Sequence, residues 1–263
     1  MTAPRDYACL CFDSSYILAE VLENNDAKTK LGIINDYQKN LKLDVYVSPT
    51  VKAECNQRIV ALVSRVGDLI RDFEHYFRIK KSAIGSSVIS FDDTRFVREF
   101  FYAECAKYKR TDSEVELLKR IESWIVRFMW EKLQLGQSIK YFEFMTTIMV
   151  EILKQGNFIR DKFDNFSSKI RTTNSAIDPA LLNKLQQDPA MKNTAIKKPN
   201  DLQILCEVAA HQRDIHKWSL LVTLDERDFL NNSLQIDKLS NVKCVDPLYI
   251  PEVVRSLRSA SRP

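Results

Sequence analysis

The stretch Ser219 to Phe229, SLLVTLDERDF, constrains this chain more than any other. Leu220, Leu221 and Val222 form a continuous apolar run that stops at Thr223, Asp225 and Asp228. A strand buried on both faces of a parallel sheet reads this way, without polar alternation. The carboxyl ends of such strands are where these sheets hold ligands. The same syntax opens the chain, where Ala8, Cys9, Leu10, Cys11 and Phe12 run into Asp13, Ser14 and Ser15. Two strands therefore end in acid.

Two more acids stand near helix starts. Glu54 follows the apolar Val45, Tyr46 and Val47 and the turn Ser48-Pro49-Thr50, and Asp201 follows Lys198-Pro199-Asn200. Proline at the first helical position beside Ser or Asn is a helix-start signal. Around these acids the pattern predicts strands over 7–12, 45–48, 220–223 and 241–246. Helices are predicted after Ser14, over 30–41, from Pro49 or Thr50, over 201–214 and over 251–257. Strands separated by helical crossovers require a parallel sheet, so the fold class is α/β.

Between Glu54 and Asp201 the chain is strongly helical in pattern. Apolar stripes at three-and-four spacing run through Ile59, Leu62, Val66 and Leu69, through Phe96, Val97, Phe100 and Phe101, through Trp124, Ile125, Phe128 and Met129, and through Phe142, Met145, Ile148, Met149 and Ile152. Aromatics at helical spacing belong to a core, so these residues predict a helical bundle rather than a stacking platform. Gly85-Ser86-Ser87 and the region of Gly136 read as helix breaks. From Ser167 to Asn200 aromatics vanish and Ser, Thr, Asn, Gln and Lys dominate, with one short helix expected at 179–187. The rest of that segment reads as an exposed connection that delivers Lys192, Lys197 and Lys198 beside Asp201.

A chain of 263 residues, 45% hydrophobic and 28% charged, can bury a full core and is not disordered throughout. Its net charge of +4 neither demands nor opposes nucleic acid. The start MTAPRDYACLCF has no apolar stretch of signal-peptide length, and no run approaches the roughly 18 apolar residues of a membrane span, so a cytoplasmic, non-membrane protein is expected. Six scattered cysteines without a CxxC pair read as buried thiols, and three dispersed histidines offer no paired spacing for a metal.

The series FDSSYIL around Asp13, SPTVKAE ending at Glu54, PNDLQILCEVAA around Asp201 and VTLDERDF around Asp225 resembles the PIN-domain nucleases, over about residues 5 to 65 and 197 to 252. The resemblance implies a three-layer α/β/α domain with a central parallel sheet, formed by 1–65 and 197–263. Residues 66–166 become a helical insertion and 167–196 a flexible connection. It also implies that Asp13, Glu54, Asp201 and Asp225 gather around Mg²⁺ or Mn²⁺.

Carboxylates brought together in this way repel by roughly 3 kcal/mol per pair at 5 Å and an effective dielectric near 20. Such a cluster needs protons or a cation. All-oxygen ligands select a hard ion. The chemistry is then phosphodiester hydrolysis by an endoribonuclease, with Asp13 and Asp225 as ligands, Asp201 sharing the ion and Glu54 holding or deprotonating a metal-bound water. Asp228 is a candidate fifth acid; Ser14, Thr223, Lys197 and Lys198 are candidate substrate contacts. RNA is the expected substrate, DNA fits the same acids, and the resemblance allows a homodimer or a protein partner on the insertion.

Two other readings compete. A catalytically silent PIN-like scaffold or RNA-binding module would use the insertion as its working surface, and a structure-specific DNA nuclease would carry the same four acids. A haloacid-dehalogenase-type phosphatase is disfavoured, because it wants an acid two residues after Asp13, where Ser15 stands. Each acid also has a plain structural reading, as a turn residue or a helix cap.

Overall fold

In chain order the strands are Ala8–Phe12 (β1), Val45–Val47 (β2), Val88–Ile89 (β3), Ile139–Lys140 (β4), Arg171–Thr172 (β5), Trp218–Val222 (β6) and Lys243–Val245 (β7). The helices are Ser14–Leu22 (α1), Lys28–Leu41 (α2), Pro49–Ala83 (α3), Thr94–Cys105 (α4), Ser113–Lys132 (α5), Tyr141–Ser168 (α6), Pro179–Gln187 (α7), Pro189–Lys192 (α8), Pro199–Ile215 (α9), Ser233–Ser240 (α10) and Ile250–Ala260 (α11). These come from a computed structural model that describes residues 8–23, 27–41, 43–108, 113–134, 137–192 and 199–260. They fall into two compact units, Met1–Asn56 with Asn165–Pro263, and Gln57–Asp164.

The first unit is built on a five-stranded parallel sheet in the order β5-β2-β1-β6-β7. All five residues of β1 are buried, which suits a strand with neighbours on both edges and cover on both faces. Register follows the apolar runs: Leu10 lies opposite Val45 and Leu220, and Phe12 opposite Val47 and Val222. From β1 the chain steps outward to β2 and β5, then returns to lay β6 on the other side of β1 and β7 beyond it. The direction of winding thus reverses between β1 and β6, and crevices at such reversals are the ligand sites of open α/β sheets.

Within the segment expected to be an exposed connection, the helix expected at 179–187 is present as α7, and β5 and α8 stand where no element was expected. Arg171 and Thr172 pair with Tyr46 and Val47 as the edge strand β5. Beyond it α7 and α8 bury Leu185 and Met191, and α7 packs on α9. An edge strand two residues long needs no apolar run, because one ladder and one buried threonine are enough to seat it. Lys197 and Lys198, expected beside Asp201, lie outside the described residues.

The second unit is organised by phenylalanine. Phe73 is fully buried, with its ring centroid 5.3 Å from Phe77, 5.2 Å from Phe100 and 5.9 Å from Phe101. Phe144 adds to Phe77 at 5.4 Å. Edge-to-face and tilted pairs of this kind contribute beyond their buried area. The capping turn before α4 is closed by Ser90, whose N–H donates to Asp93 Oδ2 at 2.8 Å, and the same oxygen accepts from buried Lys81 at 2.9 Å. Gly85 takes φ of +64° two residues after α3 ends, where its missing side chain permits the turn. Phe142 departs from the expected core stripe: it is 81% exposed, while Met145, Ile148 and Ile152 on the same helix are buried. β3 and β4 form a small antiparallel pair beside it.

Candidate active site

Each strand of the sheet runs at its carboxyl end into a buried polar residue: Thr173 after β5, Ser48 after β2, Asp13 after β1, Thr223 after β6 and Asp246 after β7. Strand ends and helix starts leave unpaired amides, and short oxygen-bearing side chains satisfy them. At the flanks these side chains are engaged that way. Ser48 Oγ accepts from Val51 N at 3.2 Å at the head of α3. Asp246 accepts from Leu248 N at 2.9 Å and forms an ion pair with Lys30 of α2.

In the centre, at the reversal, the two polar ends meet each other. Thr223 Oγ1 donates to Asp13 Oδ2 at 2.9 Å, joining residues 210 apart in the chain. Ser15 Oγ donates to the same oxygen at 2.7 Å and stands 3.2 Å from Thr223 Oγ1, while Leu224 N donates to Ser15 Oγ at 3.0 Å. Asp225 N donates to Thr223 Oγ1 at 3.0 Å, and Asp225 Oδ1 accepts from Asp228 N at 2.8 Å to cap the π-type turn Glu226–Leu230. Asp13, Thr223 and Asp225 are therefore one hydrogen-bonded assembly, with Ser15 as its hinge. Ser15 lay outside the candidate residues; the signal available was its place two residues after a strand-end Asp, the Asx-turn spacing.

Asp13 caps α1 through Ser15 N and is 3% exposed. Burial pushes its carboxyl above the usual aspartate value, and the bonds from Ser15, Thr223 and the backbone pull only part of the way back. A carboxylate held at such a cost of desolvation is stabilised by any cation that reaches it.

Glu54 and Asp201 stand at the heads of α3 and α9, the first half-buried and the second buried. Helix α3 begins directly after β2, and α9 packs on β6 and ends just before it. Both helix heads thus lie toward the carboxyl edge of the sheet. The head of α3 is bonded to the middle of α9, where the carboxylate of Glu207, six residues after Asp201, accepts from Thr50 N at 3.1 Å and Thr50 Oγ1 at 2.7 Å. Asp228 is buried inside its turn, and Ser14 is half-buried as the first residue of α1.

The oxygen donors assembled at the reversal suit a hydrated Mg²⁺ or Mn²⁺, which takes one or two protein carboxylates and fills its remaining positions with water and phosphate oxygens. They do not close a protein cage: among the described residues no group of three or more His, Cys, Asp and Glu side chains is gathered for an ion. Of the four acids expected to converge, Asp13 and Asp225 are joined through Thr223, and neither Glu54 nor Asp201 is gathered with them into such a group.

Under α9 the cysteines of β1 make a separate, sealed cluster. Cys9 Sγ lies 3.3 Å from Ser219 Oγ, and the Cys11 thiol, with help from His211 and Ser219, pulls the Cys9 thiol down against the opposing effect of burial. The paired Cys11 thiol is pushed up correspondingly. Both are buried, as the apolar context of β1 predicts.

No model of a known protein family matches the chain, and neither a curated protein nor a solved structure is significantly similar to it. No helix among the described residues is long and apolar enough to cross a membrane.

Proposed function

We propose that the chain is a PIN-like, Mg²⁺- or Mn²⁺-dependent phosphodiesterase that hydrolyses RNA as an endoribonuclease, with Asp13 at its centre. The observation that carries this reading is the buried Asp13–Thr223 contact at the winding reversal of the sheet. Burial of that carboxylate is opposed by desolvation, and a cation at the strand ends would offset the cost. The resemblance of the segments around Asp13, Glu54, Asp201 and Asp225 to PIN nucleases supports the same site.

A bound ion would supply Lewis acidity, acidifying a water and neutralising charge on the phosphoryl oxygens. The chain's own groups do the positioning. Ser15 and Thr223 hold Asp13 Oδ2 in one orientation, and Asp225 is fixed by donating its N–H to Thr223 and capping its own turn. Glu54, on α3, is the group assigned to take a proton from the attacking water. Asp201 adds negative charge at the head of α9, and Ser14, the first residue of α1, is assigned a phosphate contact.

The test is cleavage of end-labelled single-stranded RNA, hairpin RNA and DNA of matched sequence, with Mg²⁺, Mn²⁺ or chelator, by wild type and Asp13→Asn. RNA cleavage that requires the ion and disappears in the variant supports the reading; cleavage of DNA alone reassigns the substrate. The dispersed arrangement of the acids favours one second reading, a silent RNA-binding or scaffold protein. It is supported instead if RNA is bound but never cut and Asp13→Asn changes neither property.

A further inference from the structure

We infer that Glu207, an acid outside the four strand-end and helix-head candidates, is a positioning residue that clamps α3, and with it Glu54, onto α9, the helix that carries Asp201. This rests on the metal-site reading above and adds a residue that acts on the site without touching substrate.

The head of α3 shows why a second helix is needed. Pro49 has no N–H, Val51 N is taken by Ser48 Oγ at 3.2 Å and Lys52 N by the Ser48 carbonyl at 3.0 Å. Thr50 N remains, and a carboxylate 157 residues away accepts from it. Both Glu207 oxygens are engaged, Oε2 with Thr50 N and Oε1 with Thr50 Oγ1 at 2.7 Å and Gln203 Nε2 at 3.2 Å. Gln203 is one turn earlier on α9, so the carboxylate is locked in orientation from its own helix before it reaches across. At 4% exposure, Glu207 is retained in a buried helix face, between Cys206 and Val208, that packing alone would fill with an apolar residue. An anionic acceptor at a helix N-terminus is favoured by both hydrogen bonding and the helix dipole.

Thr50 and Glu54 are one helical turn apart and so lie on one face of α3. A helix transmits displacement along its axis, and a shift of Thr50 away from α9 moves Glu54 with it. The candidate proton acceptor is thus placed by a bond made one turn before it.

The experiment compares full-length wild type with Glu207→Ala, Glu207→Gln and Thr50→Val. It reads kcat and KM on labelled single-stranded RNA, the affinity of the substrate-free protein for Mn²⁺ by electron paramagnetic resonance, and thermal unfolding. Supporting groups one shell outside a metal site typically change affinity or activity about 10–100-fold when removed. Glu207→Ala is therefore expected to lower kcat or Mn²⁺ affinity by about tenfold with KM for RNA little changed. Glu207→Gln, which keeps one acceptor oxygen, should fall between it and wild type. Thr50→Val should be no worse than Glu207→Ala and should add little when the two are combined.

If Glu207→Ala does not fold, Thr50→Val and Glu207→Gln decide the matter, since each leaves part of the bonding between residues 50 and 207 in place. Folded variants with wild-type kcat and wild-type Mn²⁺ affinity, or with lowered stability alone, overturn the inference. Should Asp13→Asn abolish cleavage while these variants remain wild type, only the clamp is wrong. If Asp13→Asn is also without effect, the metal-site reading itself has failed.

Discussion

The two units of this chain spend their buried volume on opposite things. The unit of Gln57–Asp164 packs Phe73, Phe77, Phe100 and Phe101 ring against ring. The sheet-bearing unit instead buries Asp13, Thr223, Ser48 and Asp246 in a row along the strand ends. An aromatic core repays burial directly through hydrophobic transfer and contact. A row of buried oxygens does not, and within it the Asp13 carboxyl is pushed up by desolvation while bonded to a neighbouring strand end. The phenylalanine cluster is favoured by its own burial, whereas the Asp13 carboxylate is buried at a cost in desolvation.

The largest effect should come from breaking the aromatic side. Phe73→Ala removes a fully buried ring with three ring neighbours and should cost about 3–5 kcal/mol, measured by denaturant unfolding. Loss below about 1 kcal/mol would mean that the phenylalanine cluster does not organise that unit.

Asp13→Asn should do the reverse, lowering ion-dependent RNA cleavage by about a hundredfold or more while leaving the fold intact. The amide keeps an acceptor for Ser15 and Thr223 and removes a charge that burial opposes. Because the folded pKa of Asp13 is raised, the folded state holds its proton more tightly than the unfolded chain. The favourable contribution is complete below the unfolded value of about 3.9 and is lost as pH rises through the folded one. In metal-free buffer, Asp13→Asn should therefore match wild type at about pH 3 and become the more stable protein as pH rises above about 4. A variant that is less stable than wild type at neutral pH would contradict a desolvated carboxylate.

Thr223→Val keeps shape but removes one donor to the buried Asp13 Oδ2 and leaves Asp225 N without its hydroxyl acceptor, and should cost about 1–3 kcal/mol in unfolding experiments. A neutral result would show that the hydroxyl bridge is incidental. The smallest effect belongs to Phe142→Ala: at 81% exposure it should shift stability by no more than about 0.5 kcal/mol, although its helical spacing would place it in the core.

Phe142 illustrates what the sequence could and could not reveal. Period marks a helix face but not the width of its contact, so the first residue of an apolar stripe at a helix start falls outside the packed zone. The strands β1 and β6 were legible because runs of apolar residues bounded by acids have few other uses, and α3 and α9 because Pro49 and Pro199 mark their first turns. The edge strand Arg171–Thr172 was not legible: two polar residues carry no period, and only the exposed edge of β2 gives them a partner. Glu207 belongs to no motif and stands at no element end. Its one sign was an unbroken apolar setting, Leu205-Cys206 before it and Val208-Ala209-Ala210 after it, on a helix too buried to leave a charge unpaired. The Asp13–Thr223 contact followed from strand register, which neither segment encodes alone.

The most direct measurement is anomalous scattering from a crystal of the protein soaked in Mn²⁺. The account predicts a peak at the carboxyl ends of β1 and β6, within coordinating distance of the Asp13 carboxylate, that is lost in Asp13→Asn. A strong peak elsewhere on the molecule, or an unchanged peak in the variant, would contradict it.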